Sequence, residues 1–141
     1  MAHARNMIRT DLETRIGAIG GLTVFDSPAR QQETADFPSA AIWISSESAD
    51  PVKGQSDKWD QTYQRTVTAE VTTIAATMAT LEANLEAIEE AMAPSNSNWL
   101  TCWLTGTEFD EPTISGSVAY SAQQTYEIQY TTTRKAVDTI T

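Results

Sequence analysis

Between Trp59 and Val71 the chain alternates apolar and polar residues, and this run constrains the fold more than any other feature. Trp59, Tyr63, Val67, Ala69 and Val71 stand at odd positions, with Asp60, Thr62, Gln64, Thr66, Thr68 and Glu70 between them. Strand side chains point alternately to the two faces of a sheet, so this period marks one buried face and one wet face. Such a strand is longer than the usual five or six residues. Its near end is expected to project beyond the sheet or to pair with another subunit. A half-buried sheet also needs a second layer over its apolar face.

Two amphipathic helices are available for that layer. The first is expected from about Asn6 to Ile19, where Ile8, Leu12, Ile16 and Ile19 share one face. Asn6 could cap it, or Thr10 with Glu13 could form a capping box; Gly20-Gly21 stops it. The second is expected from about Thr77 to Ala93, with Met78, Leu81, Leu85, Ile88 and Met92 on one side and Glu82, Glu86, Glu89 and Glu90 on the other. Ala79, Ala83, Ala87 and Ala91 form a stripe of small residues that would let the helix lie close to a sheet. Pro94 ends it.

The remaining segments read as short strands and polar connections. Strands are expected at 22–25, 40–45, 98–105 and 117–133, and loops at 26–38, 46–57 and 106–116. In the 40–45 strand, Ile42 and Ile44 share one face and Trp43 points to the other. The 98–105 strand is apolar on both sides and is expected to be covered on both. The last strand carries Val118, Tyr120, Ala122, Tyr126, Ile128 and Tyr130 at even positions. Met1–Asn6 and 135–141 are expected to be flexible ends, and Met7 could be an alternative start. Most strands follow one another through loops too short for a crossover helix. The expected fold is therefore α+β, one domain over 1–141, with a mainly antiparallel sheet and both helices on one face. A chain of 141 residues buries roughly 70% of its unfolded surface, enough for a core without staples.

Charge and composition exclude several functions. Nine basic against 19 acidic residues give a net charge of −10. This argues against a grip on nucleic acid, which needs clustered Lys and Arg, and against docking on an anionic membrane surface. Cys102 is the single cysteine, so no intrachain disulfide forms. No run approaches the ~18 apolar residues of a membrane span, and no secretory-type apolar run opens the chain; synthesis in the cytosol is the expectation.

No catalytic pattern stands out. His3, the only histidine, lies near the terminus, where it is a poor partner for a nucleophile. A zinc site needs more Cys and His than the two present, and no glycine-rich phosphate cradle is found. Glu108 with Asp110, or Glu82 with Glu86, could serve as a carboxylate pair. Solvated charge runs are far more common, and the Glu108–Glu111 cluster lacks the spacing of a calcium loop. No cofactor or metal is expected, and the chain is expected not to be an enzyme. The four tryptophans, Trp43, Trp59, Trp99 and Trp103, all fall on expected strands. Core filling under the second helix is the expectation for two of them. Trp43 and Trp59 flank a polar loop and stand evenly between core and subunit contact, since tryptophan is enriched in interfaces.

The order of elements, and the segments "MIRTDLETRIGAIGGLTVF", "FPSAAIWISSESADP", "TYQRTVTAEVTTIA" with "MATLEANLEAIEEAM", and "TYEIQYTTTR", resemble the tail-terminator family of long-tailed phages, also called tail-completion or minor tail protein U-like proteins. The resemblance spans nearly the whole chain and consists of element order and texture, without an invariant motif. It implies a six-membered ring at the head-proximal end of the finished tail tube, within the virion. Such a ring ends tube polymerisation and offers the surface that joins the head, while DNA passes through without specific binding. The implied partners are further copies of the chain, the tube protein, and a head-tail connector or neck protein. No residue carries over from a family motif.

The residues fit that role. A ring needs two different patches that meet head-to-tail. Trp43, Trp59 and Tyr63 are the candidates for subunit contact. Asp60, Glu70, Glu108, Asp110 and Glu111 are candidates for an acidic lumen or surface, which would repel phosphate. The competing readings are a neck adaptor or tube subunit, a small-ligand-binding α+β module with an enclosed apolar cavity, and, last, an acid/base enzyme on Glu108 and Asp110.

Overall fold

The computed structural model describes residues 4–25, 37–51, 62–93, 101–111, 113–115, 117–133 and 136–140. Element order is α1 (Ala4–Gly17), β1 (Thr23–Phe25), β2 (Ser39–Pro51), β3 (Thr62–Ala75), α2 (Met78–Met92), β4 (Thr101–Phe109), β5 (Thr113–Ser115), β6 (Ser117–Thr133) and β7 (Ala136–Ile140). The sheet runs β1-β2-β3-β6-β4, and β5 and β7 each pair with β6. All pairings are antiparallel except β1 with β2, which is parallel. The fold is α+β, as the alternation and the two helical stripes imply. The parallel β1–β2 pair is the one exception to the expected antiparallel order.

Both helices bury their apolar stripes against the same face. Ile8, Leu12 and Ile16 of α1 and Ile88 and Met92 of α2 share a core with Ile42, Val67, Ala69, Val71, Tyr126, Ile128 and Tyr130. The odd positions of β3 and the even positions of β6 are the buried ones, because the register pairs Val67 with Ile128 and Ala69 with Tyr126. A smaller cluster joins Leu81 and Leu85 to Ala75 and Ala122. Gly21, at φ 79, takes the left-handed turn after α1, a conformation that costs glycine nothing. Thr77 caps α2: its hydroxyl oxygen accepts from the Thr80 amide at 3.2 Å. Arg15 of α1 donates to the Ala91 carbonyl at 3.0 Å, placing a cation on the carbonyl-rich end of α2.

Several boundaries differ from the expectation. Ser46–Pro51, expected as loop, continues β2, because each of these residues pairs with β3. Its polarity reflects a strand with one open face. Likewise 106–109 extends β4, and 113–115 forms β5. Residues 136–140, expected to be a loose tail, form β7 on β6, and α1 begins at Ala4. β3 starts at Thr62 and runs past Val71 to Ala75; Trp59 and Asp60 lie outside the described residues, as does Trp99. β4 is not covered on both faces: Thr101 and Trp103 are exposed while Cys102 and Leu104 are partly buried. The alanine stripe of α2 does not seat the helix, since Ala79 and Ala83 are exposed. Met78 is exposed as well, since it stands at the first turn, past the edge of the core.

Candidate functional site

The sheet face away from the helices is the most distinctive surface. Strand register sets its composition row by row. One row holds Trp43, Glu70 and Thr125; the next holds Ser46, Thr68, Glu127 and Trp103. Directly opposed strand residues have Cβ atoms roughly 4.5–5.5 Å apart. Trp43 is thus the cross-strand partner of Glu70, and Trp103 that of Glu127. Between the tryptophans lie Thr66, Thr68, Thr72, Gln123, Thr125 and Gln129, all partly exposed. Trp43 is 53% exposed and Trp103 is 39% exposed. A polar sheet face therefore carries one large aromatic on each of its flanking strands.

Both flanking strands are bulged beside their tryptophan. The pairing skips a residue between Ile44 and Ser46 in β2 and between Leu104 and Gly106 in β4. The extra residues hold their places with hydroxyls: Ser45 donates to the Thr68 carbonyl at 3.3 Å, and Thr105 to the Thr125 carbonyl at 3.1 Å. Bulges bend a strand and increase its twist, so both margins of this face curve away from a flat sheet.

The first bulge has a second effect. Beyond it the sides of β2 exchange, and Glu47, paired with Val67, faces the helix-covered side. There its carboxylate lies 3.6 Å from the Arg65 guanidinium, with both side chains largely buried, and accepts from the Tyr130 hydroxyl. The Arg65 guanidinium also lies 5.9 Å from the Tyr63 ring centroid, within reach of a cation–π contact. Tyr63 thus belongs to this cluster on the covered face, and not to one patch with Trp43.

Two open grooves run along the margins. One, of ≈ 380 Å³, is lined by Asn6 and Arg9 of α1 and by β2 from Ile42 to Glu47. The other, of ≈ 300 Å³, lies between α2 and β4, with Glu82, Glu86 and Glu89 on one side, Thr107 and Phe109 on the other, and Leu85 and Gln124 on its floor. A third hollow continues along β4 past Cys102, Leu104 and Tyr126. Gln124 donates to the Leu85 carbonyl at 3.2 Å, but its Oε1 and the Tyr126 hydroxyl are buried without a hydrogen bond. Burial pushes the Cys102 thiol up to about 11, with the Arg15 charge opposing it. Burial also pushes the Tyr126 phenol up, helped by the negative charge of Glu89 and by Cys102. Both groups hold their protons at neutral pH, so Cys102 is no ready nucleophile. An unmatched buried hydroxyl costs free energy. Tyr126→Phe is therefore expected to raise stability by about 1 kcal/mol, read from the urea unfolding midpoint; a lower midpoint would mean that the hydroxyl has a partner in solution.

The expected site residues do not form one site. Trp43 and Glu70 are brought together on the open face, and Glu108 lies on that face opposite Gln123. Asp110 and Glu111 are exposed beyond the end of β4. The Asp110 carboxylate accepts from the Ser121 hydroxyl at 2.9 Å, and its amide donates to the Ser121 carbonyl at 3.0 Å, so it closes the β4–β6 end. Sequence reasoning missed Trp103 and Glu127 on the open face. Their alternation is present, but the apolar Leu100, Cys102 and Leu104 hide which side of β4 is wet.

No family model matches the sequence, and no curated protein matches it. Among solved structures, a chain from "Virion of native gene transfer agent (GTA) particle" superposes with a TM-score of 0.42 at 16% sequence identity, over 90% of each chain.

Proposed function

We propose that the chain is a non-enzymatic structural subunit of a phage-like virion, which assembles as a ring on the tail tube, ends tube growth and offers the surface that joins the head. The supporting observation is the open sheet face: a polar field of Thr, Gln and Glu bounded by two exposed tryptophans, Trp43 and Trp103. Tryptophan is enriched among residues that dominate binding energy. The net charge of −10 suits a subunit around a DNA channel, because it repels phosphate. The sequence resemblance to tail terminators supplies the specific role.

Deleting the gene from the producing particle tests the reading by electron microscopy. Overlong tails, without heads attached, are the expected result. Tails of normal length that lack heads would instead indicate a neck adaptor, absence of tails a tube subunit, and normal particles would end the structural reading. One observation favours a ligand-binding module as the second reading: Gln124 Oε1 and the Tyr126 hydroxyl lie unmatched in the α2–β4 hollows. These hollows are open, whereas such a module is expected to enclose its ligand.

A further inference from the structure

We propose that neighbouring copies join by strand addition, β4 of one subunit pairing antiparallel with the Trp43–Ser46 stretch of β2 in the next; this rests on the ring reading above. Among the described residues, β4 has β6 on one side and no strand on the other, and β1 covers β2 only from Ser39 to Ala41. Among the described residues, each subunit therefore presents two different strand edges, one at each margin of its sheet. Open edges are templates for pairing with another chain. Two unlike edges meeting head-to-tail are what a closed ring requires.

Three features make these two edges complementary. The first is direction. β2 is antiparallel to β3, β3 to β6, and β6 to β4, so β4 runs opposite to β2. A neighbour brought alongside by rotation, with its sheet continuing the first, sets its β2 antiparallel to β4. The second is the open face. Trp43 and Trp103 lie on the same side of the sheet, so the junction places Trp43 of one copy beside Trp103 of the next. Burying both accounts for two large aromatics exposed at sheet margins. The third is charge on the helix side. Arg9 of α1 flanks the β2 groove, while Glu82, Glu86 and Glu89 of α2 flank the β4 groove. Among the described residues Arg9 pairs with Glu13 at 4.0 Å, and the junction places it to face those carboxylates.

Disulfide trapping tests the junction and leaves both tryptophans in place. With Trp43 beside Trp103, Ser46 of one copy falls beside Thr101 of the next on the open face. Ser46→Cys and Thr101→Cys are made separately in a Cys102→Ala background, mixed at high concentration and oxidised. The expected result is a dimer band from the mixture and none from either variant alone, weakened by Arg9→Glu and restored when the Thr101→Cys chain also carries Glu86→Arg. Dimers from a single variant would show a two-fold contact and overturn the proposal. Rings seen in negative stain without the mixed dimer would overturn this junction and leave the ring reading standing. Neither rings nor mixed dimers, with overlong tails also absent from the deletion, would overturn both.

Discussion

Arg65→Met is expected to cost about 3–5 kcal/mol, the range for removing one partner of a buried ion pair. The Glu47 and Arg65 side chains are 9% and 14% exposed, so water has little access to replace what the substitution removes. The Tyr130 hydroxyl would remain as a donor to Glu47, but a neutral hydroxyl does not balance a buried charge. For a domain of this size the loss corresponds to a fall in melting temperature of about 10–17 °C. The double variant Glu47→Gln, Arg65→Met should recover most of it, because a buried pair gains little over a neutral replacement once both charges are gone. Urea unfolding of the two single variants and the double variant gives the coupling directly. A loss under about 1 kcal/mol for Arg65→Met would show the pair to be solvated like an exposed one.

Leu12→Ala should cost a comparable amount, about 2–5 kcal/mol, through the lost transfer of its methyl groups and the cavity left behind. Leu12 is fully buried between Ile8 and Ile16, which are fully buried as well. α1 packs against β2, β1, β7 and α2, and Leu12 lies in the core cluster shared with Ile42, Val67, Ile88 and Tyr126. Met78→Ala is the control: it alters a residue that is 40% exposed and should move stability by under about 0.5 kcal/mol. A Leu12→Ala midpoint as close to wild type as that of Met78→Ala would mean that α1 is not seated on the core in solution.

The parts of the fold legible in the sequence are those where one residue type repeats with one period. Val67, Ala69 and Val71 in β3, and Ala122, Tyr126, Ile128 and Tyr130 in β6, alternate over a full strand and are buried as expected. Ile8, Leu12 and Ile16 mark the α1 face in the same way. The failures share a cause in long-range pairing. Ser46–Pro51 has the polarity of a loop and becomes a strand because β3 supplies partners for it. Residues 136–140 read as a tail until β6 is seen beside them. The Glu47, Arg65 and Tyr130 cluster depends on a bulge that turns Glu47 inward, and nothing in the local sequence marks a bulge. Of the candidate site, Trp43 and Glu70 were found from their strands, whereas Trp103 and Glu127 needed the register.

The place of β6 in the sheet sets when the molecule can exist during synthesis. β6 spans Ser117–Thr133 and pairs with β3, β4, β5 and β7. Until it has left the ribosome, β3 has, among the described residues, β2 alone for company, and β4 no neighbour in the main sheet. A nascent chain that lacks β6 thus carries an unpaired strand edge and bare aromatics, the features that make partly made sheets aggregate. Closure waits for β6, and pairings of such long sequence separation form slowly. Yield from a living host should therefore respond more to chaperone supply and translation rate than to the stability of the finished subunit.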